Sequence, residues 1–379
     1  MTYPTISHFI ESFTGIFIPL PIQTFGFFIV LAFIFGRLYI YKELSRKEKL
    51  NIFNINSIKT KPTNSFITDY IINGIMNFLF GYKIFFIINN YQKFAEAPQE
   101  ILLSKDGDLI IGLAFLILNI IYTYYTNKKT NKNINATHMT ASSLSWQLLF
   151  IAAISGVIGA KFFSVFENFN YLLQDPLSAI FSFSGLTFYG GLICGTICVI
   201  IYAKRCQLSI PHLADTFAPS LLLGYGVGRL GCHFSGDGDW GIIANMSNKP
   251  FFIPEWLWGY NFPHNVIEKG ELIEGCIGKY CNQLSYAVHP TSLYEAIFGI
   301  LAFIILWKIK GKITTPGILF LIYLTINGIE RFLIESIRVT EKYLVFSFEM
   351  TQAQIIAIFI TLIGSLGIII LKKRTNESI

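Results

Sequence analysis

Charge is what this sequence has least of: 14% of its 379 residues are Asp, Glu, Lys or Arg, against 53% hydrophobic, and the mean hydropathy is +0.53. Soluble domains carry about a quarter of their residues as charges, so this composition excludes a water-soluble globular protein and points to an integral membrane one. Histidine is rare as well, with six residues, and no Ser-His-Asp set, metal-ligand spacing or nucleotide-binding motif stands out. Neither a cofactor nor a metal is expected. An intramembrane protease is set aside on the same ground, since it needs a Ser-His pair or paired Asp residues at depth. No repeat of about 20–50 residues is visible, which argues against a solenoid. The net charge of +6 sits in short loops beside apolar runs, where it reports membrane orientation and not a nucleic-acid partner.

Nine apolar stretches fill the chain instead, at 20–41, 68–91, 108–126, 146–166, 186–203, 213–230, 291–309, 316–337 and 352–371. A helical span needs about twenty apolar residues, so the expected fold is all-α, a polytopic transmembrane helical bundle of about nine spans. Every second loop is basic: Lys42, Arg46, Lys47 and Lys49, then Lys128, Lys129 and Lys132, then Lys204 and Arg205, then Lys308, Lys310 and Lys312, and finally Lys372, Lys373 and Arg374. The positive-inside rule puts these loops in the cytoplasm, the amino terminus outside and the carboxyl terminus inside. The first span lacks a preceding basic segment and is full length, so it is expected to be retained.

Residues 241–290 are too polar to span and are richer in Pro, Asn, Trp and Cys, which marks a small external head. There Cys276 and Cys281 can form a disulfide in an oxidising compartment or stay as thiols, and a zinc site lacks a matching His/Cys pair. Cys194, Cys198, Cys206 and Cys232 lie in or beside spans, where free cysteine behaves as a small hydrophobe. The chain divides into a first span (1–44), a region with two spans (45–145), a core part ending in a glycine-rich loop (146–240), the head (241–290) and the last three spans (291–379).

An ionisable group in hydrocarbon is costly and marks function, and the intruding charges gather at the outward ends of the spans. The run GRLGCHFSGDGDWG at 228–241 closes the sixth span with five glycines, Arg229, Asp237 and Asp239. Such a backbone is tolerable at membrane depth only within protein or a watery cavity, and it can bring N–H groups and a guanidinium to an anion. The plainer alternative is a helix exit with Arg229 snorkelling to the headgroups. Arg331, Glu335 and Arg338 share one helix face, where two cations around one carboxylate leave a net positive surface for a phosphate, or form a structural ion pair. Spans six and eight both run outward, so Arg229 and Arg331 reach a similar depth, which snorkelling alone does not explain.

Two inward-running spans reach the same level. HPTSLYEA at 289–296 opens the seventh: Ser292 and Glu295 fit a capping box and Pro290 a helix start, while His289 can donate to an anion. TFYGGLICG at 187–195 places Tyr189 before Gly190 and Gly191, so that a lipid or a backbone can approach closely; the alternative is an interfacial anchor followed by helix-packing glycines. Asp215, at the inner end of span six, reads as a capping or packing residue. His8, His138, His212 and His264 read as loop or helix-end residues, and His233 as structural.

Taken in chain order, these motifs resemble the prolipoprotein diacylglyceryl transferase family over most of 20–41 and 146–371. The matching residues are Tyr-Gly-Gly at 189–191, Asp215 with Ala218 and Pro219, Gly-Arg-x-Gly at 228–231 with the following Gly-Asp-Gly, His-Pro-Thr-x-Leu-Tyr-Glu at 289–295, Arg-Phe-x-x-Glu-x-x-Arg at 331–338, and Gln352 with Gln354. The resemblance implies transfer of diacylglyceryl from phosphatidylglycerol to the lipobox cysteine thiol of bacterial prolipoproteins, with release of glycerol phosphate, in the bacterial plasma (inner) membrane. The implied partners are phosphatidylglycerol, prolipoprotein signal peptides with a lipobox cysteine, and membrane lipids. Arg229 looks like the phospholipid-binding arginine, Arg331 and Glu335 like the Arg and Glu pair of the late helix, and Arg338 like the arginine after it. Gly190, Gly191, Gly228, Gly231, His289 and Tyr294 are expected to line the substrate site.

The substrate brings its own nucleophile, and a thiol with a pKa of about 8.5 reacts as thiolate, so a positive cavity or a base must favour its deprotonation. Many family members carry His before the paired glycines, where this chain has Tyr189. The base is therefore open among Tyr189, Glu335 and Asp237, with His233 and His289 as outer candidates. The acidic residue of the signature loop is Asp237 or, after a one-residue insertion, Asp239. Phe25-Gly26 stands where the family has Tyr-Gly, and 45–145 adds two spans to the usual seven, an even number that preserves topology. A transporter is disfavoured because the charges cluster at one interface and not near the midplane. A catalytically inactive phospholipid-binding scaffold is the competing expectation.

Overall fold

The computed structural model describes residues 2–53, 65–96, 101–102, 104–130, 140–176, 187–276, 278–345 and 348–377. The chain forms two compact units, one of Met1–Thr2, Phe25–Asn56 and Met139–Ile379, the other of Tyr3–Thr24 and Ser57–His138. In chain order the helices are α1 (Ile6–Thr14), α2 (Thr24–Lys49), α3 (Ser65–Asn89), α4 (Tyr91–Glu96), α5 (Leu109–Thr130), α6 (Ser145–Glu167), α7 (Phe169–Gln174), α8 (Phe188–Arg205), α9 (Ile210–Ser235), α10 (Glu255–Trp258), α11 (Thr291–Ile309), α12 (Ile318–Glu335) and α13 (Gln352–Glu377).

Each of the nine apolar stretches falls on a helix, but they are not equally apolar. Five segments, Thr24–Lys49, Ser142–Glu167, Phe188–Arg205, Thr291–Ile309 and Gln352–Arg374, are long and apolar enough to cross a membrane, and Gly74–Asn89 and Leu109–Thr123 are shorter apolar helices. Helices α9 and α12 fall in neither group, because Asp215, Arg229 and His233 interrupt the one and Glu330, Arg331 and Glu335 the other. Large apolar side chains such as Val30, Phe162 and Ile363 stand outward on the apolar helices, as a lipid solvent requires and water does not tolerate over such an area. The chain is a multi-pass membrane protein.

The chain is mostly helical, as expected, with little sheet: among the described residues two short antiparallel pairs occur, β1 (Glu271–Leu272) with β2 (Asn282–Gln283) and β3 (Tyr343–Val345) with β4 (Phe348–Met350). The second pair joins YLV, with its aromatic and β-branched residues, to FEM beyond α12, a stretch too short to register beside the long helical runs.

In the larger unit, glycines set the helix spacing. A Cβ at Gly226 of α9 would stand 3.0 Å from the Ala296 carbonyl of α11, and one at Gly299 would stand 3.0 Å from Gly226 Cα. The two backbones therefore touch, as small residues permit between membrane helices. Likewise a Cβ at Gly191 of α8 would stand 3.0 Å from the Gly156 carbonyl of α6, and one at Gly328 of α12 would stand 2.8 Å from the Ala357 carbonyl of α13. Helix α12 starts at Gly317, and its first N–H groups, those of Gly317 and Phe320, donate to Asp215 of α9 at 2.7 and 2.9 Å. Asp215 thus caps a neighbouring helix, satisfying donors that every helix start leaves open. The smaller unit is built on α3 and α5, where Gly81 meets Phe115 and Gly112 meets Phe78. Asp108 caps α5 by accepting from Ile110 and Ile111 at 2.9 and 3.1 Å.

Helix α9 stops where Gly236 adopts a left-handed conformation (φ 64°) and donates to the Cys232 carbonyl at 3.0 Å. Between α9 and α11 the longest described helix is α10, so the expected head is a mostly irregular body with its own small core of Trp240, Phe262, Leu284 and Val288. Asn265, fully buried, donates to the carbonyls of Phe262, Lys269 and Asn282 at 3.2, 3.0 and 3.1 Å and ties three strands of chain together. Cys276 and Cys281 are joined by a disulfide.

Candidate active site

The contact of Gly226 with Gly299 fixes what lies one turn further toward the head. Three residues beyond Gly226 is Arg229, and four before Gly299 is Glu295, so the antiparallel pair brings a guanidinium and a carboxylate together at one level. Glu295 is 1% exposed. Its Oε2 meets Arg229 Nε as an ion contact without hydrogen-bond alignment, and its Oε1 lies 3.5 Å from Arg331 Nη1 and 3.4 Å from Arg338 Nη1. One buried carboxylate therefore holds three arginines, from α9, from α12 and from the turn that follows α12.

A second carboxylate closes the cluster from the loop. Asp239 pairs with Arg229, and its Oδ1 accepts from Arg338 Nη2 at 2.5 Å. The loop is held in register by backbone bonds: Gly241 N–H donates to the His289 carbonyl at 2.8 Å and Ile242 N–H to the Ile337 carbonyl at 2.9 Å. Thr291 Oγ1 donates to the Asp239 carbonyl at 3.1 Å. Arg331 also faces Glu335, one turn on, with Nη2 to Oε2 at 3.1 Å, and Thr340 donates to the other oxygen at 2.8 Å. The Arg229 guanidinium lies 5.4 Å from the centroid of the Tyr225 ring, whose hydroxyl donates to buried Glu330 at 3.2 Å.

Two readings are sharpened here. In the sequence Arg331, Glu335 and Arg338 are open between a net positive face and a structural ion pair; Arg331 does pair with Glu335, and with Glu295 and Asp239 arriving from other elements three arginines meet three carboxylates. The capping box at Ser292 and Glu295 does not form: α11 starts after Pro290 without a side-chain cap, Ser292 Oγ is buried without a partner, and Glu295 is taken by the arginines. Charge-assisted contacts with three guanidiniums outweigh one cap hydrogen bond.

Tyr189 lies within electrostatic reach of Arg331 and Glu335, at the edge of the cluster. Gly190 and Gly191 are spent on packing against α6, since a Cβ at Gly190 would stand 2.6 Å from the Gly159 carbonyl. Gly231 serves α2 in the same way, facing Phe28, and Gly228 lies near Ile29. His289 and Tyr294 hold the head: Tyr294 donates to the Leu257 carbonyl at 2.6 Å, its hydroxyl lies 3.3 Å from His289 Nδ1, and the His289 ring packs on Trp258. His233 is buried among Phe234, Tyr260 and Phe262, as a structural residue would be.

The two loop aspartates differ. Burial pushes Asp237 above the usual carboxylate range, and its Oδ1 accepts from the Asp239 N–H at 3.2 Å. Burial acts on Asp239 too, but Arg229 and Arg338 outweigh it and hold this carboxyl below the usual range. Burial also lowers His289. Cys232, Asp237 and Asp239 bring donor atoms within 4.8 Å of one another, yet both Asp239 oxygens are engaged by arginines, so the trio belongs to the ion cluster. The central partner that sequence reasoning missed is Glu295. Its signal was available as an acidic residue inside an apolar span, four residues from a glycine able to bring two helices into contact.

A family model described as prolipoprotein diacylglyceryl transferase matches residues 108–370. The chain belongs to this family. The matched range holds all three arginines together with Tyr189, Asp239, Glu295 and Glu335. Among curated relatives, a phosphatidylglycerol–prolipoprotein diacylglyceryl transferase of Clostridium botulinum (strain 657 / Type Ba4) is 33% identical over 200 residues, 52% of this chain and 70% of its own. A protein of the same name from Chlorobaculum tepidum is 30% identical over 308 residues, 76% of this chain and 94% of its own. One from Oceanobacillus iheyensis is 27% identical over 289 residues, covering 74% and 91%. Membership in the diacylglyceryl transferase family makes the chain a membrane transferase and gives the arginine cluster a reaction to be read against.

Proposed function

We propose that the chain transfers the diacylglyceryl group of phosphatidylglycerol to the lipobox cysteine of a bacterial prolipoprotein, releasing glycerol phosphate. The observation that carries this reading is the convergence of Arg229, Arg331 and Arg338 on Glu295 at one end of the helices. The substrate thiolate attacks the glycerol carbon that bears the phosphate; the S–C bond forms, the C–O bond breaks and the electron pair leaves on a phosphate oxygen. Charge grows on that phosphate, and preorganised guanidiniums stabilise it best in a site shielded from water. Arg331, the most exposed of the three at 29%, is the one a headgroup reaches first.

The thiol proton passes to a carboxylate or phenol at the edge of the cluster. Glu335, Asp237 and Tyr189 are the candidates. Gly190, Gly191, Gly228 and Gly231 act through helix packing, and His289 and Tyr294 by positioning the head over the site. We place the protein in the bacterial plasma (inner) membrane with nine spans, α9 and α12 included, the head and amino terminus outside and the carboxyl terminus in the cytoplasm. Residues 45–145 then form an inserted region that preserves topology. The partners are phosphatidylglycerol, prolipoprotein signal peptides with a lipobox cysteine, and membrane lipids.

The test is incubation of the purified protein in detergent with phosphatidylglycerol and a lipobox peptide, with and without its cysteine. Cysteine-dependent release of glycerol phosphate with a diacylglyceryl mass gain on the peptide is the expected result. Phospholipid binding without either product, beside an active family control, would leave the inactive scaffold instead.

A further inference from the structure

The end of the larger unit opposite the arginine cluster holds a second set of charges that the proposed reaction does not use. Asp215 and Arg229 are fourteen residues apart on α9, about 21 Å along a helix. Around Asp215 lies a cavity of about 260 Å³ lined by Glu43, Arg46, Lys47, His212, Asp215 and Lys310 with apolar neighbours. This is just under the ~300 Å³ at which small-molecule pockets begin, and suits a compact headgroup.

Three cations face two carboxylates there, and both carboxylates are occupied. Glu43 takes Arg46 at 2.6 Å and Lys310 at 2.5 Å. The oxygens of Asp215 accept from the Gly317 and Phe320 N–H groups. Lys47 is left over. It is 5% exposed, its Nζ donates to the His212 carbonyl at 2.6 Å and to Thr216 Oγ1 at 2.9 Å, and no carboxylate lies within ion-pair distance among the described residues. An ammonium has three donors, and two of them are used here; Glu43 and Asp215 act on Lys47 only from beyond ion-pair distance. A buried charge without a directly paired counter-ion is costly, and Arg46, 40% exposed, stands at the rim as a second donor.

We propose that this cavity is an anion site that takes a phosphate group, with Lys47 as its buried anchor and Arg46 at its mouth. The phosphate can be that of an anionic phospholipid headgroup or a free phosphate. Lys47 supplies a point charge and Arg46 a planar fork, the pairing that phosphate recognition uses.

The full chain in an uncharged detergent would be melted with increasing inorganic phosphate, with dioctanoyl-phosphatidylglycerol, or with dioctanoylglycerol, which has the tails and no phosphate. The expected result is a saturable rise in melting temperature with one or both phosphate-bearing probes and none with dioctanoylglycerol. Because the arginine cluster also takes a phosphate-bearing probe on the proposed function, the variants are compared on an Arg331→Ala background: there Lys47→Met should abolish the rise, and Arg46→Gln should raise the half-saturating concentration about tenfold, one charge-assisted contact. The arginine cluster is the same in both variants and in that background, so whatever they lose belongs to the cavity. A response to inorganic phosphate identifies a soluble source, and a response to the lipid alone a headgroup. An equal shift with dioctanoylglycerol, no shift with any probe, or an undiminished response in both variants overturns the proposal. If Lys47→Met does not fold, an unchanged half-saturation in Arg46→Gln is decisive against it.

Discussion

Glu295 is the residue on which the three arginines depend. Replacing it by Gln keeps the shape and removes the charge, leaving three half-buried guanidiniums short of a partner, a loss on the order of 3 kcal/mol for a pair whose carboxylate is buried. Glu295→Gln is expected to insert but to melt well below the parent and to transfer poorly, as thermal melts and a turnover assay would show. Arg229→Ala and Arg331→Ala should each lower transfer by at least ~100-fold, the range found when one donor to a developing oxyanion is removed, and full activity in either would sink the proposed site. The aspartates predict opposite pH behaviour. The stability Asp239 contributes is present above the ordinary carboxylate pKa and is lost as pH falls through its lowered folded value. Asp237, raised by burial, loses stability as pH rises from the ordinary value through its folded one. Asp237→Asn should therefore melt above the parent near pH 7 with the gap closing at about pH 4, while Asp239→Asn should melt below it at neutral pH and converge only in stronger acid.

At the scale of helices, the site rests on two glycines with no chemistry of their own. A side chain at Gly226 must displace the α11 backbone at Ala296, and a shift of about 1 Å in a reacting constellation can cost ~100-fold in rate. Gly226→Leu is expected to lose most transfer activity while its helix content, followed by circular dichroism, is kept. This is also where the sequence was hardest to read. Arg229, Arg331 and Arg338 were visible because charge is conspicuous in an apolar chain. Glu295 was visible too, but its position four residues into a helix fits a capping pattern equally well, and only the approach of α9 to α11 decides between the two roles. The choice between Asp237 and Asp239 as the arginines' partner depended on a turn whose geometry the loop composition leaves open.

For the molecule as a member of the membrane, apolarity marks five crossing segments clearly and says least about α9 and α12, because the residues that make the site are those that dilute the signal. Alternating basic loops carry the remaining topology information. With nine spans and the amino terminus outside, Ser247→Cys in the head should react with an impermeant maleimide on intact cells, and Gly311→Cys, between α11 and α12, only after permeabilisation. Both sites are exposed. Labelling of both from the same side would overturn the arrangement.

The pairing of arginines with internal carboxylates has a consequence for turnover. A site that bound phosphate through free guanidiniums would hold its product as firmly as its substrate. Here Glu295 and Asp239 remain beside the arginines throughout and compete for them once the carbon–oxygen bond has broken. On the proposed reaction, the resting ion cluster is its own displacing agent: it re-forms as the departing glycerol phosphate loosens, and so resets the enzyme for the next lipid.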